Sequence, residues 1–198
     1  MASRTPSTDA ASIVALEPRR RLRIDEYHRM IAAGVFDEGE RLELIEGVIV
    51  EMSPQSPRHA EVISRLCDPR FVSAGPDCLV RSRLPLTLAP DSEPEPDVAV
   101  VPRTAKGYGD GHPTTALLVF EVAGDSLRKD RPAKAQVYAR AGIPEYVIVN
   151  LAQGTLEVHR DPDPEAQRYR TVTTLGRTDR FESSAVHDDA FSVAALLD

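Results

Sequence analysis

Cysteine is scarce in this chain. Only Cys67 and Cys78 occur among 198 residues, with no Cys-x-x-Cys spacing. One disulfide stays open, but the simpler reading is two buried thiols in a reducing cytoplasm. Long apolar runs are missing as well, and none approaches the roughly 20 residues that span a bilayer. Met1–Ser12 lacks a basic-then-apolar leader, so a cytoplasmic protein without a membrane partner is expected. The five histidines form no His-x-x-x-His pair, which leaves a zinc site poorly supported. His187-Asp188 has no partner histidines before it at a spacing that suits metal phosphohydrolases. There is no Gly-x-Ser-x-Gly elbow and no Gly-x-x-x-x-Gly-Lys loop, so neither chemistry is indicated. Gly107, Gly109 and Gly111 read as loop flexibility instead. Positive charge is in deficit, with 24 basic against 31 acidic residues and a net charge of −7. That argues against a generic nucleic-acid coat, but not against an enzyme that meets DNA through a local basic surface.

What is present suits one folded domain. Hydrophobic content of 41% and charged content of 28% are ordinary for a globular chain. Residues 1–19, rich in Ala, Ser, Thr and Pro, read as a flexible leader, and 20–198 as the domain. A short helix is predicted over Ile24–Ile31, with Asp25 as N-cap and Gly34 as stop. Arg41–Met52 reads as a hairpin turning at Glu46-Gly47. A helix over Arg58–Phe71 and an edge or bulged strand over Cys78–Leu88 follow. Strands are expected at Val98–Val101, 116–123, Glu145–Asn150, Thr155–Arg160 and Tyr169–Thr174. A helix over Arg131–Ala141 crosses between the second and third of these, and an apolar tail, Phe191–Leu197, closes the chain. The fold class is therefore α/β: a central mixed β-sheet flanked by helices, with an N-terminal helix and β-hairpin.

Two apolar runs carry one carboxylate each. Asp97 opens Val98–Val101, and Glu121 interrupts Leu117-Leu-Val-Phe-Glu-Val-Ala123. An unpaired buried carboxylate is destabilising by several kcal/mol or becomes protonated. Two on neighbouring strands also repel, a conflict that a shared divalent cation resolves, because hard cations take carboxylate oxygens. Strand alternation puts Glu121 and Ala123 on one face. Many metal-dependent nucleases carry lysine at that next position; alanine stands there in this chain, so a Glu-x-Lys motif is absent. Lys134, Val137, Tyr138 and Ala141 share a face of the following helix. Lys134 either snorkels to the sheet edge or points at the Asp97/Glu121 pair.

Each residue also has a plainer role open to it. Asp97 after Pro96 suits a turn cap, and Glu121 suits a buried salt bridge to an arginine. Glu43 and Glu46 suit the solvent face of a hairpin. His59 suits a helix N-terminal surface position or a phosphate contact, and Tyr138 suits the core.

The chain resembles the Uma-type restriction endonucleases within the PD-(D/E)XK nuclease superfamily. The resemblance rests on Glu43-Leu-Ile-Glu46-Gly47, Met52-Ser-Pro54, His59, Pro96-Asp97-Val98, Glu121-Val122, Asp130-x-x-x-Lys134-x-x-x-Tyr138 and Ala141-Gly-Ile-Pro-Glu-Tyr146, and covers about residues 22–160. It implies a restriction-endonuclease-like fold and divalent-metal-dependent hydrolysis of phosphodiesters in DNA, with Mg²⁺, or Mn²⁺ as substitute. It also implies that Asp97 and Glu121 bind metal, that Glu43 or Glu46 completes the shell, and that Lys134 is the electrostatic catalyst. Two departures stand out: Ala123-Gly-Asp-Ser126 replaces a Ser-Pro-containing turn, and Tyr146-Val147 replaces Tyr-Trp in a chain without tryptophan. Arg128, Lys129, Arg131, Arg81 and Arg83 are the expected phosphate contacts, and a homodimer is one assembly such enzymes use. The competing readings are a non-catalytic nuclease-fold binding module and, more weakly, a hydrolase of small phosphoesters.

Overall fold

The computed structural model describes residues 20–124, 131–186 and 190–198. In chain order the elements are α1 (Ile24–Ala32), β1 (Leu42–Ile45), β2 (Val48–Glu51), α2 (Pro57–Leu66), β3 (Cys78–Ser82), β4 (Val98–Pro102) and β5 (Leu118–Ala123). They continue as α3 (Arg131–Arg140), β6 (Glu145–Asn150), β7 (Thr155–Asp163), β8 (Arg168–Leu175), β9 (Arg180–Glu182), β10 (Ala190–Ser192) and α4 (Val193–Leu197). Strands β3 to β8 form one six-stranded sheet in sequential order. Only β5 and β6 run parallel, because helix α3 carries the chain back between them.

The apolar runs of β4, β5 and β6 are buried because both faces of the sheet are covered. Alternation along β5 divides its side chains between two cores. Leu118, Phe120 and Val122 join α2, α4, Phe181 and Phe191 on one face. Val119 and Ala123 join Val137, Tyr138 and Tyr146 on the other, where α3 packs. Glu121 belongs by its register to the α3 side.

Several boundaries differ from the sequence reading. Arg23 precedes the first turn of α1 and its N–H donates to Glu26 Oε2 at 3.0 Å, whereas Asp25 pairs with Arg29 at 3.4 Å. Helix α2 ends at Leu66, and Phe71 and Val72 instead donate backbone N–H groups to Asp68. Strand β3 is the expected edge strand but stops at Ser82, because Arg83 takes φ +55° ahead of Pro85. Strands β7 and β8 run on through Pro162, which pairs with Tyr169. Cys67 is exposed and Cys78 half-buried, so neither thiol is a core residue. Tyr108 anchors the glycine-containing loop, with its hydroxyl 2.5 Å from Pro102 O and its ring under the Arg81 guanidinium. Residues 1–19, the turn from Asp125, Arg128, Lys129, the Arg131 side chain and His187-Asp188 lie outside the described residues. No helix among the described residues is long and apolar enough to cross a membrane.

Candidate active site

The hairpin of β1 and β2 presents the first carboxylate. Its turn uses Glu46 and Gly47 at φ +48° and +74°, the left-handed pair that closes a two-residue hairpin. A Cβ on Gly47 would meet Leu22 O at 2.8 Å, so only glycine fits there. Leu44 exchanges backbone hydrogen bonds with Glu93, which ties β1 to the segment leading into Asp97. Glu43 is consequently buried at 5% exposure. Its Oε2 accepts from Lys134 Nζ at 3.0 Å and from Glu95 N–H at 3.2 Å.

Asp97 sits where the chain enters β4, directly after Pro96. Its Oδ2 accepts from the backbone N–H of Val122 in β5 at 2.8 Å and lies 3.1 Å from His59 Nε2. Its Oδ1 accepts from the Gln55 amide at 3.3 Å. The carboxylate therefore bridges strands instead of capping its own turn.

Glu121, in the middle of β5, meets α3. Lys134 Nζ at 3.0 Å and Tyr138 OH at 2.8 Å both donate to its Oε1. Lys134 and Tyr138 stand one helical turn apart on one face, which is why they converge. Burial pushes the Glu121 carboxyl up to about 7; Lys134 pulls it back, while Asp97 and Glu43 push it further up. Burial works against the Lys134 charge, but Glu121 and Glu43 outweigh it and hold the ammonium above the usual lysine range. Tyr138 is held well above an ordinary phenol by burial and by the Glu121 charge. Burial also raises Glu95, with Arg41 opposing.

Glu43, Glu95, Asp97, Glu121 and Lys134 line one cavity of about 520 Å³, together with Arg41, Arg58, His59 and Gln55. The donors crowd one oxygen of each carboxylate: Oδ2 of Asp97, Oε1 of Glu121 and Oε2 of Glu43. Among the described residues, Asp97 Oδ1 receives only Gln55, while Glu121 Oε2 and Glu43 Oε1 receive no hydrogen bond. Under-supplied oxygens on carboxylates that line a cavity suit a hard, Mg²⁺-type cation, which needs one or two carboxylates and keeps several waters. A larger cage is not built: no group of three His, Cys, Asp or Glu arranged to hold an ion occurs among the described residues.

Four of the five expected site residues, Glu43, Asp97, Glu121 and Lys134, thus meet in one place. Glu46 does not. Its carboxylate lies 3.7 Å from Arg21, and it lines no part of this cavity. Arg81 and Arg83 do not line this cavity either; Arg81 stacks on Tyr108, and Arg83 lies close enough to Glu95 to oppose its raised carboxyl. Sequence reasoning missed Gln55 and Glu95, and it gave Tyr138 a core role without its hydrogen bond. Gln55 lies in a Ser-Pro-Gln-Ser-Pro loop, which carries no periodic signal. Glu95 stands two residues before Asp97, a spacing that was there to be used.

One solved structure superposes on nearly the whole chain. It is a protein from Anabaena variabilis described as a putative nuclease belonging to DUF820, with a TM-score of 0.69 and 15% identity, covering 89% of this chain and 97% of that one. Mixed sheet, hairpin, crossover helix and this likeness together define a restriction-endonuclease-like nuclease fold. The chain belongs to the Uma2 family, described as "Putative restriction endonuclease", whose profile matches residues 24–195. A comparison with curated proteins found no match.

Proposed function

We propose that this chain is a divalent-metal-dependent endonuclease that hydrolyses phosphodiester bonds in DNA, with Mg²⁺ as the ion and Mn²⁺ as a substitute. The observation that carries this reading is the pair of under-supplied carboxylates, Asp97 and Glu121, on one cavity beside the Lys134 ammonium. Asp97 and Glu121 would hold the ion, with waters and phosphate oxygens filling the remaining positions. When bound, the cation supplies Lewis-acid activation of water and of the phosphate. Glu43, engaged by Lys134, contributes further negative charge, and Glu46 is not part of the proposed shell. Lys134 holds a fixed positive charge beside the position of the scissile phosphate, the kind of preorganised stabilisation that needs no reorganisation during reaction. Arg41 and Arg58 line the same cavity and are the phosphate contacts of this proposal.

The test is cleavage of plasmid and linear DNA by purified protein with Mg²⁺ or Mn²⁺, beside Asp97→Ala and Glu121→Ala. Each variant should lose activity by about 100-fold or more while circular dichroism remains that of a folded protein. A wild-type chain that binds neither ion by calorimetry and cuts no DNA would sink the proposal. One observation favours a second reading, a non-catalytic nuclease-fold binding module: the Lys134 ammonium is already matched by two carboxylates. Metal-independent gel shifts without cleavage would select it. A homodimer, which would offer one site per DNA strand, is checked by light scattering with and without DNA.

A further inference from the structure

We propose that His59 and Gln55 are positioning residues that clamp the Asp97 carboxylate so that one lone pair of Oδ1 is left for a divalent cation; this rests on the metal-dependent reading above. A carboxylate offers about four lone-pair directions. Val122 N–H at 2.8 Å and His59 Nε2 at 3.1 Å take both on Oδ2. The Gln55 amide at 3.3 Å takes one on Oδ1. Among the described residues no further donor reaches Oδ1, so one direction remains on that oxygen.

The same count settles what His59 does. The backbone N–H of Val122 holds Asp97 Oδ2 as an acceptor, and a carboxylate oxygen only accepts, so His59 must carry its hydrogen on Nε2. With Nε2 committed to the Asp97 carboxylate, His59 acts on the ion through Asp97.

The clamp is carried by a helix that is capped and packed on the core. Ser56 caps α2 by accepting the His59 N–H at 3.3 Å, with Pro57 in the first turn. Val62, Ile63 and Leu66 lie three, four and seven residues after His59 and are buried in the core. Ring position is thus set by core packing, and only 17% of the His59 side chain is exposed. Outer partners that orient a metal-binding carboxylate are typically worth about 10–100-fold in metal affinity.

The experiment is Mn²⁺ calorimetry on the full chain without DNA, for wild type, His59→Leu, His59→Gln and Gln55→Leu, with thermal melts in EDTA beside it. Leucine removes the donor, whereas glutamine keeps an amide that can donate to Oδ2. The expected result is about 10–100-fold weaker binding by His59→Leu, a smaller loss for Gln55→Leu, and recovery towards wild type in His59→Gln. A purely structural role would lower the EDTA melting temperature and leave the affinity of the folded variants unchanged, which overturns the proposal. If His59→Leu does not fold, wild-type affinity in Gln55→Leu overturns it equally. Should the wild type itself bind no Mn²⁺, the metal-dependent reading is lost and the clamp with it, whereas normal binding by every variant removes the clamp alone.

Discussion

The Lys134 ammonium lies 3.0 Å from the Glu121 carboxylate although the two residues are 13 apart in sequence. The strand position that would otherwise supply a lysine, Ala123, is fully buried in the core beneath α3. A long cation there would have to be housed inside the apolar cluster that also holds Val137 and Tyr138. Delivery from the helix reaches the same carboxylate without opening that core.

Replacing Lys134 by methionine should strip the buried Glu43 and the largely enclosed Glu121 of their common partner. Breaking a buried ion pair from one side is destabilising by about 3–5 kcal/mol, and urea denaturation in EDTA reads the loss directly. Adding Mn²⁺ should recover part of the lost stability, because a cation in the cavity restores charge balance. Cleavage should fall by about 100-fold or more at saturating metal.

Tyr138→Phe removes one hydroxyl and leaves the packing intact. The fully buried phenol donates to Oε1 of the partly exposed Glu121 at 2.8 Å. Hydrogen bonds to charged groups contribute about 1.5–3 kcal/mol, so the urea midpoint should drop accordingly with an unchanged slope. A variant as stable as wild type would mean that Glu121 finds another donor.

Much of this was legible in the chain. The carboxylate inside the apolar run of β5 and the lysine on the inner face of α3 follow from two periodicities, alternation and helical spacing. Their meeting follows once α3 is read as a crossover onto its own strand. Family likeness added the fold and the hairpin acid, but could not choose between Glu43 and Glu46. Alternation cannot make that choice either, because Glu46 occupies the turn, where φ +48° breaks the strand pattern. The His59–Asp97 contact spans 38 residues, and the loop carrying Gln55 has no periodicity to aim it. Such contacts depend on how α2 docks, which local sequence does not encode. Proline misled twice. Pro162 sits inside a strand near its end, and Pro85 ended β3 earlier than alternation suggested.

Metal-free protein should lose stability as pH rises across the Glu121 titration. Its folded-state value of about 7 lies above the ordinary 4.5, chiefly through burial. The folded state therefore holds more protons than the unfolded one between those values, and stability declines with pH there. The contribution is fully present below about 4.5 and gone above about 7. Urea midpoints in EDTA at constant ionic strength should show this slope, and Glu121→Gln should flatten it. An identical slope in wild type and variant would assign the titration to another group.

Glu145 provides the opposing case, a buried acid that should not matter to cleavage. It is fully buried at the start of β6. Its Oε1 accepts from Arg160 Nε at 2.6 Å and Ser184 Oγ at 3.3 Å, while Oε2 accepts from Ser183 Oγ at 2.6 Å and Ser184 N–H at 3.3 Å. Both oxygens are supplied by protein donors, so no lone pair is left over for a cation. Asp97 and Glu121 differ from it in this respect, and they line the cavity whereas Glu145 does not. Glu145→Gln should therefore lower stability by about 1–3 kcal/mol, as a buried donor such as the Ser183 hydroxyl or the Arg160 fork loses its charged acceptor. Mn²⁺ affinity and the cleavage rate of the folded fraction should stay at wild-type values. A loss of metal binding in this variant would show that the supply of donors to each oxygen does not decide which acid serves the ion.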